Sequence, residues 1–422
     1  MKKHLAIIGG GIAGLATAWL LRKRYRVSVI EGGGHIGGHT HTHRVERNGS
    51  TWHIDSGFIV FNRLNYPRFS QLLDELGVTS QSTEMTFSVV NERSGLEYAA
   101  TSLNTLFSQR RNLLRPRHYR MIGDIFRFYR QAPALMQAGR DMPIGELLIQ
   151  QGFSQAFIED HLMPMCAALW SAPQQKVEGY SAQAILRFMD NHRMLQVSER
   201  PQWRTVQGGS HSYVNALIEQ AGPQIEWLRH TARSVERLDG GVQIQLDEGQ
   251  IRADHVVLAC HSDQALALLA DPSEAEQRVL GAIPYQPNHT VLHTDTGVLP
   301  SARRCWSAWN ARVPDNPLAG CSVSYYMNAL QSLPSHAPDF CVSLNPGDNI
   351  QPDQVIARMD YAHPVFTPAA IRAQGQHGEI NGQRNTWYAG AYWGYGFHED
   401  GVNSAWRVAQ ALIGQIEPSK AA

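Results

Sequence analysis

The sequence predicts an α/β protein of two domains, and three observations predict it. First, "HLAIIGGGIAGLATAWLLRKRYRVSVIE" (4–31) reads as strand, glycine turn, helix, strand. Second, "IEWLRHTARSVERLDGGVQIQLDEGQIRADHVVLAC" (225–260) reads as alternating strands around a Gly240-Gly241 turn, ending on a buried strand from His255 to Ala259. Third, 422 residues exceed one ordinary domain and are enough to bury two cores.

Composition narrows the function classes. The 37 basic and 37 acidic residues cancel, so no global field draws the chain to nucleic acid, and no nucleic-acid partner is expected. The five cysteines are scattered without a CxxC pair, which suits reduced thiols and a cytoplasmic setting. No run reaches the roughly 18 apolar residues of a membrane span. The first residues have a leader-like look, with Lys2-Lys3, an apolar run and Ala16-Thr17-Ala18. Four glycines inside that run, and its continuation into "YRVSVIE", fit a folded unit better.

In the first element, Leu5–Ile8 is the predicted strand, 12–24 the helix, and Val27–Ile30 the next strand, ending at Glu31. Gly9, Gly11 and Gly14 form a GxGxxG turn: one glycine for the tight turn, one for close approach of backbone to a diphosphate, one for helix–strand packing. The first helical N–H groups, those of Ile12 and Ala13, would face the phosphates with the positive end of the helix dipole. Glu31, 17 residues beyond Gly14, is placed to accept from an adenosine ribose.

"EGGGHIGGHTHTHRVE" (31–46) then sets His39, His41 and His43 at alternate positions. Alternation would put them on one face of a strand. Zinc needs further ligands at suitable spacing, and none is nearby, so no metal site is expected and His41 and His43 read as strand residues.

These motifs resemble the superfamily of FAD-dependent amine oxidases, phytoene desaturases and protoporphyrinogen oxidases. In that superfamily the acid is followed by a spacer and Gly-Gly-Arg beside the cofactor; here Gly38 is followed by His39 and Thr40, and histidine lacks arginine's fixed charge. "HIDSGFIVF" (53–61) resembles the segment passing the flavin ring and puts Asp55, Gly57 and Phe58 there. "TVQGGSHSYVNALI" (205–218) resembles the return into the FAD-binding domain, and Ala232 falls where a backbone contact holds adenine. "TWYAGAYWGYGFHEDGVNSAWRVAQALIG" (386–414) resembles the last FAD motif: Gly390 fits, and Gly401 and Val402 are expected at the helix N-terminus facing the flavin. The acid usual after Ala-Gly is replaced by Ala391-Tyr392.

A narrower resemblance is to bacterial NAD/FAD-binding flavoproteins, through "GGHTHT", "DSGFIVFN", "RRNLLRPR", "RPQWRTVQGGS", "LHTD", "NPG", "HPVF" and "GFHEDG". Such proteins are encoded beside cyclopropane-fatty-acid-synthase-like methyltransferases, and some act as desaturases on modified fatty acids. The resemblance implies non-covalent FAD, an amine oxidase-like fold, a hydrophobic or lipid substrate and a methyltransferase partner. It also implies a discontinuous Rossmann-like FAD-binding domain, 1–62, 205–270 and 380–418. The insertions 63–204 and 271–379 would form a mixed helical and sheet substrate domain. They hold a predicted helix from Pro67 to Leu76, a hairpin in "MTFSVVNERSGLEYA", and strands in "NHTVLHTD", "CSVSYYMN" and "FCVSLNP".

The chemistry expected is hydride transfer from a C–H bond to flavin N5, in a desaturase or dehydrogenase. The alternatives are an amine oxidase, a carotenoid-type desaturase, or a non-catalytic FAD-binding partner of a lipid methyltransferase. Only five lysines are present, and Asn288 and His289 stand where amine oxidases carry the lysine near N5. His398, Glu399 and Tyr325 are the candidate acid–base residues. Six aromatics within 387–397 read equally as pocket lining or core. "RRNLLRPRHYRMIGDIFRFYR" (110–130) carries seven arginines and one acid, with Tyr119, Ile122, Ile125, Phe126 and Tyr129 at helical spacing. It reads either as a solvated basic face or as a peripheral contact with the inner membrane face.

Overall fold

The computed structural model describes residues 2–137, 142–170, 177–196, 199–316 and 320–416. Five strands build a parallel sheet: β1 (His4–Ile8), β2 (Arg26–Ile30), β3 (Ile225–Leu228), β4 (His255–Leu258) and β5 (Thr386–Tyr388), in the order β3-β2-β1-β4-β5. Alternation explains its two faces. Leu5, Ile7, Val27, Val29 and Val257 pack on helix α1 (Ile12–Leu21) and on the C-terminal helix. Ala6, Ile8, Ile30, Val256 and Leu258 pack instead against the small sheet 232–253, through Val235, Val242 and Ile244. The helix stops at Leu21, before the polar Arg22-Lys23-Arg24, where little apolar surface remains to bury.

Backbone proximity sets the position of α1. A Cβ on Gly14 would lie 1.9 Å from the Gly9 carbonyl oxygen, and Gly9 itself adopts φ +108°. Only glycine meets both demands.

The two insertions share one seven-stranded sheet, in the order 355–364, 285–293, 341–344, 322–326, 309–313, 87–91, 96–99. It joins the expected hairpin Phe87–Asn91/Leu96–Ala99 to strands from the second insertion, through the parallel pair Phe87–Asn91 and Trp309–Val313. Its ten-residue edge strand Val355–Pro364 was not foreseen; its residues are all half-buried or exposed, so no buried apolar pattern marks it. A separate three-stranded sheet joins Val60–Asn62, Trp203–Val206 and Ser80–Thr83, and its strand Trp203–Val206 runs across the expected 204/205 boundary.

Helix α2 (Pro67–Glu75) forms as expected, with proline in its first turn. The basic stretch differs from the reading of a single amphipathic helix: Arg110–Leu114 is a 3-10 turn, and α3 (Pro116–Gln137) follows. The buried residues of α3 are His118, Met121, Phe128 and Ala132, whereas Tyr119 and Phe126 are exposed. Of the C-terminal aromatics, Trp387, Tyr388, Tyr392 and Trp393 are core residues; Tyr395 and Phe397 are half-buried against the helical part of the first insertion. The last helix, α4 (His398–Ile416), packs on α1.

Gly14→Ala should fail structurally, because the methyl meets backbone that cannot rotate away. A loss of about 3 kcal/mol or more is expected, at the top of the usual overpacking range, read by urea unfolding.

Candidate cofactor site

The turn before α1 is built to receive an anion. Gly11 is the N-cap, α1 has no side-chain cap, and no acid lies in its first turn. A Cβ added to Gly11 would meet nothing nearer than the Gly38 Cα at 4.0 Å. The N–H groups of Ile12, Ala13 and Gly14 are thus left for an anion at the helix start. The Gly37 N–H donates to the Gly10 carbonyl at 2.9 Å, which brings the glycine pair 37–38 against this turn. Glu31 closes the other side: its carboxylate accepts from the N–H of Gly10 (2.7 Å) and of Gly33 (2.6 Å). A Cβ on Gly32 would be 2.7 Å from Thr231 Oγ1, so Ala232 lies one residue from a close contact with this corner. These groups fit the diphosphate and adenosine of a dinucleotide.

The segments 37–40 and 55–58 are fastened together. The Phe58 N–H donates to the His39 carbonyl at 2.7 Å, and a Cβ on Gly57 would be 2.1 Å from that oxygen. Asp55 is fully buried and accepts from Thr42 Oγ1, Ser210 N–H and Ser210 Oγ. Burial still raises its pKa to about 6 against those bonds. Thr40 is also fully buried, with Oγ1 2.5 Å from the Tyr213 hydroxyl and 2.9 Å from His398 Nε2. Both side chains are spent on the scaffold.

The C-terminal motif departs from expectation at its helix. α4 begins at His398, so Gly401 and Val402 are not its first residues, and the Gly401 N–H already donates to the Phe397 carbonyl at 3.2 Å. Gly401 matters sterically: a Cβ there would be 2.8 Å from Ile12 Cγ2 and 3.7 Å from the Ala13 nitrogen. This contact sets the start of α4 beside the start of α1. Val402 is buried in the core they share. Gly390 is held by a bond from its N–H to Ser404 Oγ (2.8 Å), and the Tyr392 ring crowds its Cα.

The three acid–base candidates are not brought together. His398 is buried, stacked on Phe58 at 3.5 Å, and bonded through Nε2 to Thr40 and Tyr213; burial lowers its pKa to about 3. Glu399 accepts from the N–H groups of Arg68 (3.1 Å) and Phe69 (2.9 Å), which caps α2 from a distant helix. Tyr325 lies in a separate core with Trp52, Ile54 and Leu292, its hydroxyl donating to the Ala168 carbonyl. Each of these contacts ties one element to another. Asp400 behaves similarly, accepting from the N–H of Tyr395 and of Phe397, both at 3.0 Å.

The histidines divide into two groups. His41 stacks on His35 and meets the His43 ring at a tilt of 38°, both at 4.1 Å, and bonds Tyr361; His43 bonds Ser56. His39 turns instead toward His363 (5.2 Å, near-parallel) and His261 (6.1 Å). Among the described residues no group of three His, Cys, Asp or Glu side chains is arranged to hold a metal. Burial first, then the neighbouring imidazoles, lowers the His39 pKa well below its ordinary value; His41 and His363 fall to about 4, in both cases mainly through burial. At pH 7 these rings are neutral. His363 Nδ1 lies 2.6 Å from Asn288 Nδ2, and Asn288 Oδ1 accepts from Asn345. His289 points outward and pairs with Asp360 at the surface. His363 lies in the "HPVF" motif, but neither it nor His261 and Tyr361 was placed at the site by sequence, because strand pairing and a distant loop bring them to His39.

Two outcomes are expected here. Gly11→Ala should unfold at the midpoint of the flavin-free wild type yet fail to bind dinucleotide, read as flavin released on denaturation, because its methyl enters only the anion space. Asp400 has its pKa raised to about 7, chiefly by burial. A raised folded-state pKa makes its contribution to stability greatest below the unfolded value of 3.8 and loses it as pH rises through about 7. Urea unfolding of Asp400→Asn across that window should therefore show a flatter pH dependence than the wild type.

Comparisons with known proteins agree with this geometry. The family model for flavin containing amine oxidoreductases matches residues 12–317. A coproporphyrinogen III oxidase from Propionibacterium freudenreichii is 38% identical over 82 residues, 18% of this chain and 14% of that relative's length. Among solved structures, the conjugated-linoleic-acid-producing fatty acid isomerase from P. acnes has a TM-score of 0.68 at 16% identity, covering 97% of this chain and 98% of that one. Cyclohexylamine oxidase from Brevibacterium oxydans has a TM-score of 0.69 at 14% identity, covering 99% and 100%. At such identities the structures speak for the fold, and the family match for the cofactor. The chain belongs to the flavin containing amine oxidoreductase family and is an FAD-dependent oxidoreductase.

Proposed function

We propose that this enzyme dehydrogenates a hydrophobic, fatty-acyl substrate. FAD supplies the redox chemistry, accepting a hydride. One observation carries the reading: the carboxylates around the cofactor site are spent on backbone. Glu31, Asp55, Glu399 and Asp400 each accept from main-chain N–H groups. An ammonium substrate losing its hydration there would find no free counter-charge among them, at a cost of several kcal/mol. The position matching the family's lysine holds Asn288, bonded to His363 and Asn345.

Apolar contact is available instead. Phe397 stacks on Phe188 (4.8 Å, 15°), and both belong to a core that includes Phe366 and Trp170. Such a wall shields an acyl chain from water and holds its C–H bond steady. The reacting carbon would be allylic, branched, or otherwise able to bear developing positive charge. Removing a hydrogen pair also requires a proton acceptor. We assign that role to His39, whose ring makes no hydrogen bond among the described residues; burial lowers its pKa well below the ordinary value, so it would pass the proton on rather than hold it. A methyl-bearing acyl chain made by a lipid methyltransferase is the substrate class most in keeping with the sequence resemblance.

Anaerobic spectra of the FAD-loaded enzyme test this. Cyclohexylamine and putrescine should leave the flavin oxidised. Lipids from cells co-expressing the methyltransferase should bleach it and lose a hydrogen pair. Rapid bleaching by either amine would overturn the acyl reading in favour of amine oxidation.

A further inference from the structure

Five of the nine large exposed apolar side chains among the described residues fall within one stretch, 103–126; Leu20, Leu64, Ile149 and Trp406 lie elsewhere. Leu103, Leu113, Leu114, Tyr119 and Phe126 all stand in solvent, Leu114 at 88% exposure and Phe126 at 58%. They occupy consecutive short elements held together locally. Arg110 bonds the Phe107 carbonyl and Asn104, the Tyr119 hydroxyl donates to the Leu113 carbonyl, and His118 Nε2 meets the Leu106 carbonyl. Along α3 the positions Tyr119, Gly123, Phe126 and Arg130 follow a 4-3-4 spacing and are all exposed, so they form one stripe. It runs for about 16 Å at 1.5 Å per residue.

Arginines interleave with these apolar groups. Arg120 and Arg130 are exposed and make no hydrogen bond or ion pair among the described residues. Arg110 and Arg111 bond only neutral acceptors. Arg117 and Arg127 differ: Arg117 is paired with Glu159 and Asp160, and Arg127 with Asp124, so those acids are neutralised. Leu114 also rims an open recess of about 470 Å3 lined by Arg93, Ser94, Arg115, Arg117 and Glu159, where Glu159 is paired with Arg117 and the Arg93 and Arg115 guanidinium groups bond only main-chain carbonyls. Hydrated guanidinium groups suit any soluble surface, but the exposed leucines and aromatics among them leave apolar area in water. A bilayer surface uses both at once, with apolar tips among the acyl chains and cations at the phosphates.

We propose that this face, from Leu103 to Arg130, docks on an anionic phospholipid bilayer, the recess beside Leu114 taking a headgroup phosphate. The inference stands on the exposed side of α3 and is independent of the acyl-substrate reading. The two connect through the helix, since Phe128 and Ala132 on its buried side belong to the core that Phe397 packs against.

Sedimentation of the FAD-loaded protein with vesicles tests it. Phosphatidylglycerol-containing vesicles should bind at least about tenfold more protein than pure phosphatidylcholine ones. That difference should fade near 1 M salt, where the Debye length is about 3 Å. Arg110→Gln/Arg120→Gln/Arg130→Gln should reduce binding to the neutral-vesicle level, with flavin content unchanged. Leu113→Ser/Leu114→Ser should weaken binding to anionic vesicles while leaving the salt dependence in place. Equal binding to both vesicle types, no binding to either, or wild-type binding by the triple arginine variant would overturn the proposal. None of these outcomes bears on which substrate reduces the flavin.

Discussion

The contact between Gly14 and the Gly9 carbonyl is the constraint on which the site depends. At 1.9 Å from any added Cβ, it presses α1 onto β1. That closeness lets Gly401 bring α4 against Ile12 and Ala13. The starts of the first and last helices of the chain then lie side by side, with the glycine pair 37–38 closing over them. An anion placed there meets backbone donors and helix dipoles, whose strength does not depend on a titratable side chain.

Around this centre, carboxylates act as fasteners. Glu31 holds the first turn, Asp55 binds the start of 210–221, Glu399 caps α2 from α4, and Asp400 shapes the loop 395–397. Asp55 and Glu399 join segments far apart in sequence, Glu31 spans 21 positions to Gly10, and Asp400 acts locally; each satisfies main-chain donors that would otherwise be orphaned. Burial raises the pKa of Asp55, Glu399 and Asp400 despite these bonds.

Neutral imidazole in place of arginine has a related effect. His39 sits among His261, His363 and Tyr361, and burial first, then the neighbouring imidazoles, lowers its pKa well below the ordinary value. Attraction for the diphosphate must then come mainly from the helix ends.

The glycine spacing of 9–14, the acid at 31, the flanking apolar strands and the hairpin at 87–99 were legible in the sequence. They are local: a turn, a helix cap and a strand each depend on residues within a few positions. The resemblance added the cofactor through motifs at 37–40, 55–58 and 386–402. What only the tertiary structure decided was the use of each polar side chain. His398 and Glu399 have the composition of an acid–base pair, yet partners some 330 to 360 positions away make one a buried bolt and the other a helix cap. Gly401 suits a helix start by sequence, but the helix begins one turn earlier, because a close packing contact with Ile12 rather than a free N–H is what that position supplies. Likewise, the seven arginines of 110–130 are equivalent as a composition; folding pairs Arg117 and Arg127 with acids and leaves Arg120 and Arg130 in solvent. Local patterns fix conformation, whereas a side chain's charge state and partner are set by what long-range packing brings within hydrogen-bonding distance.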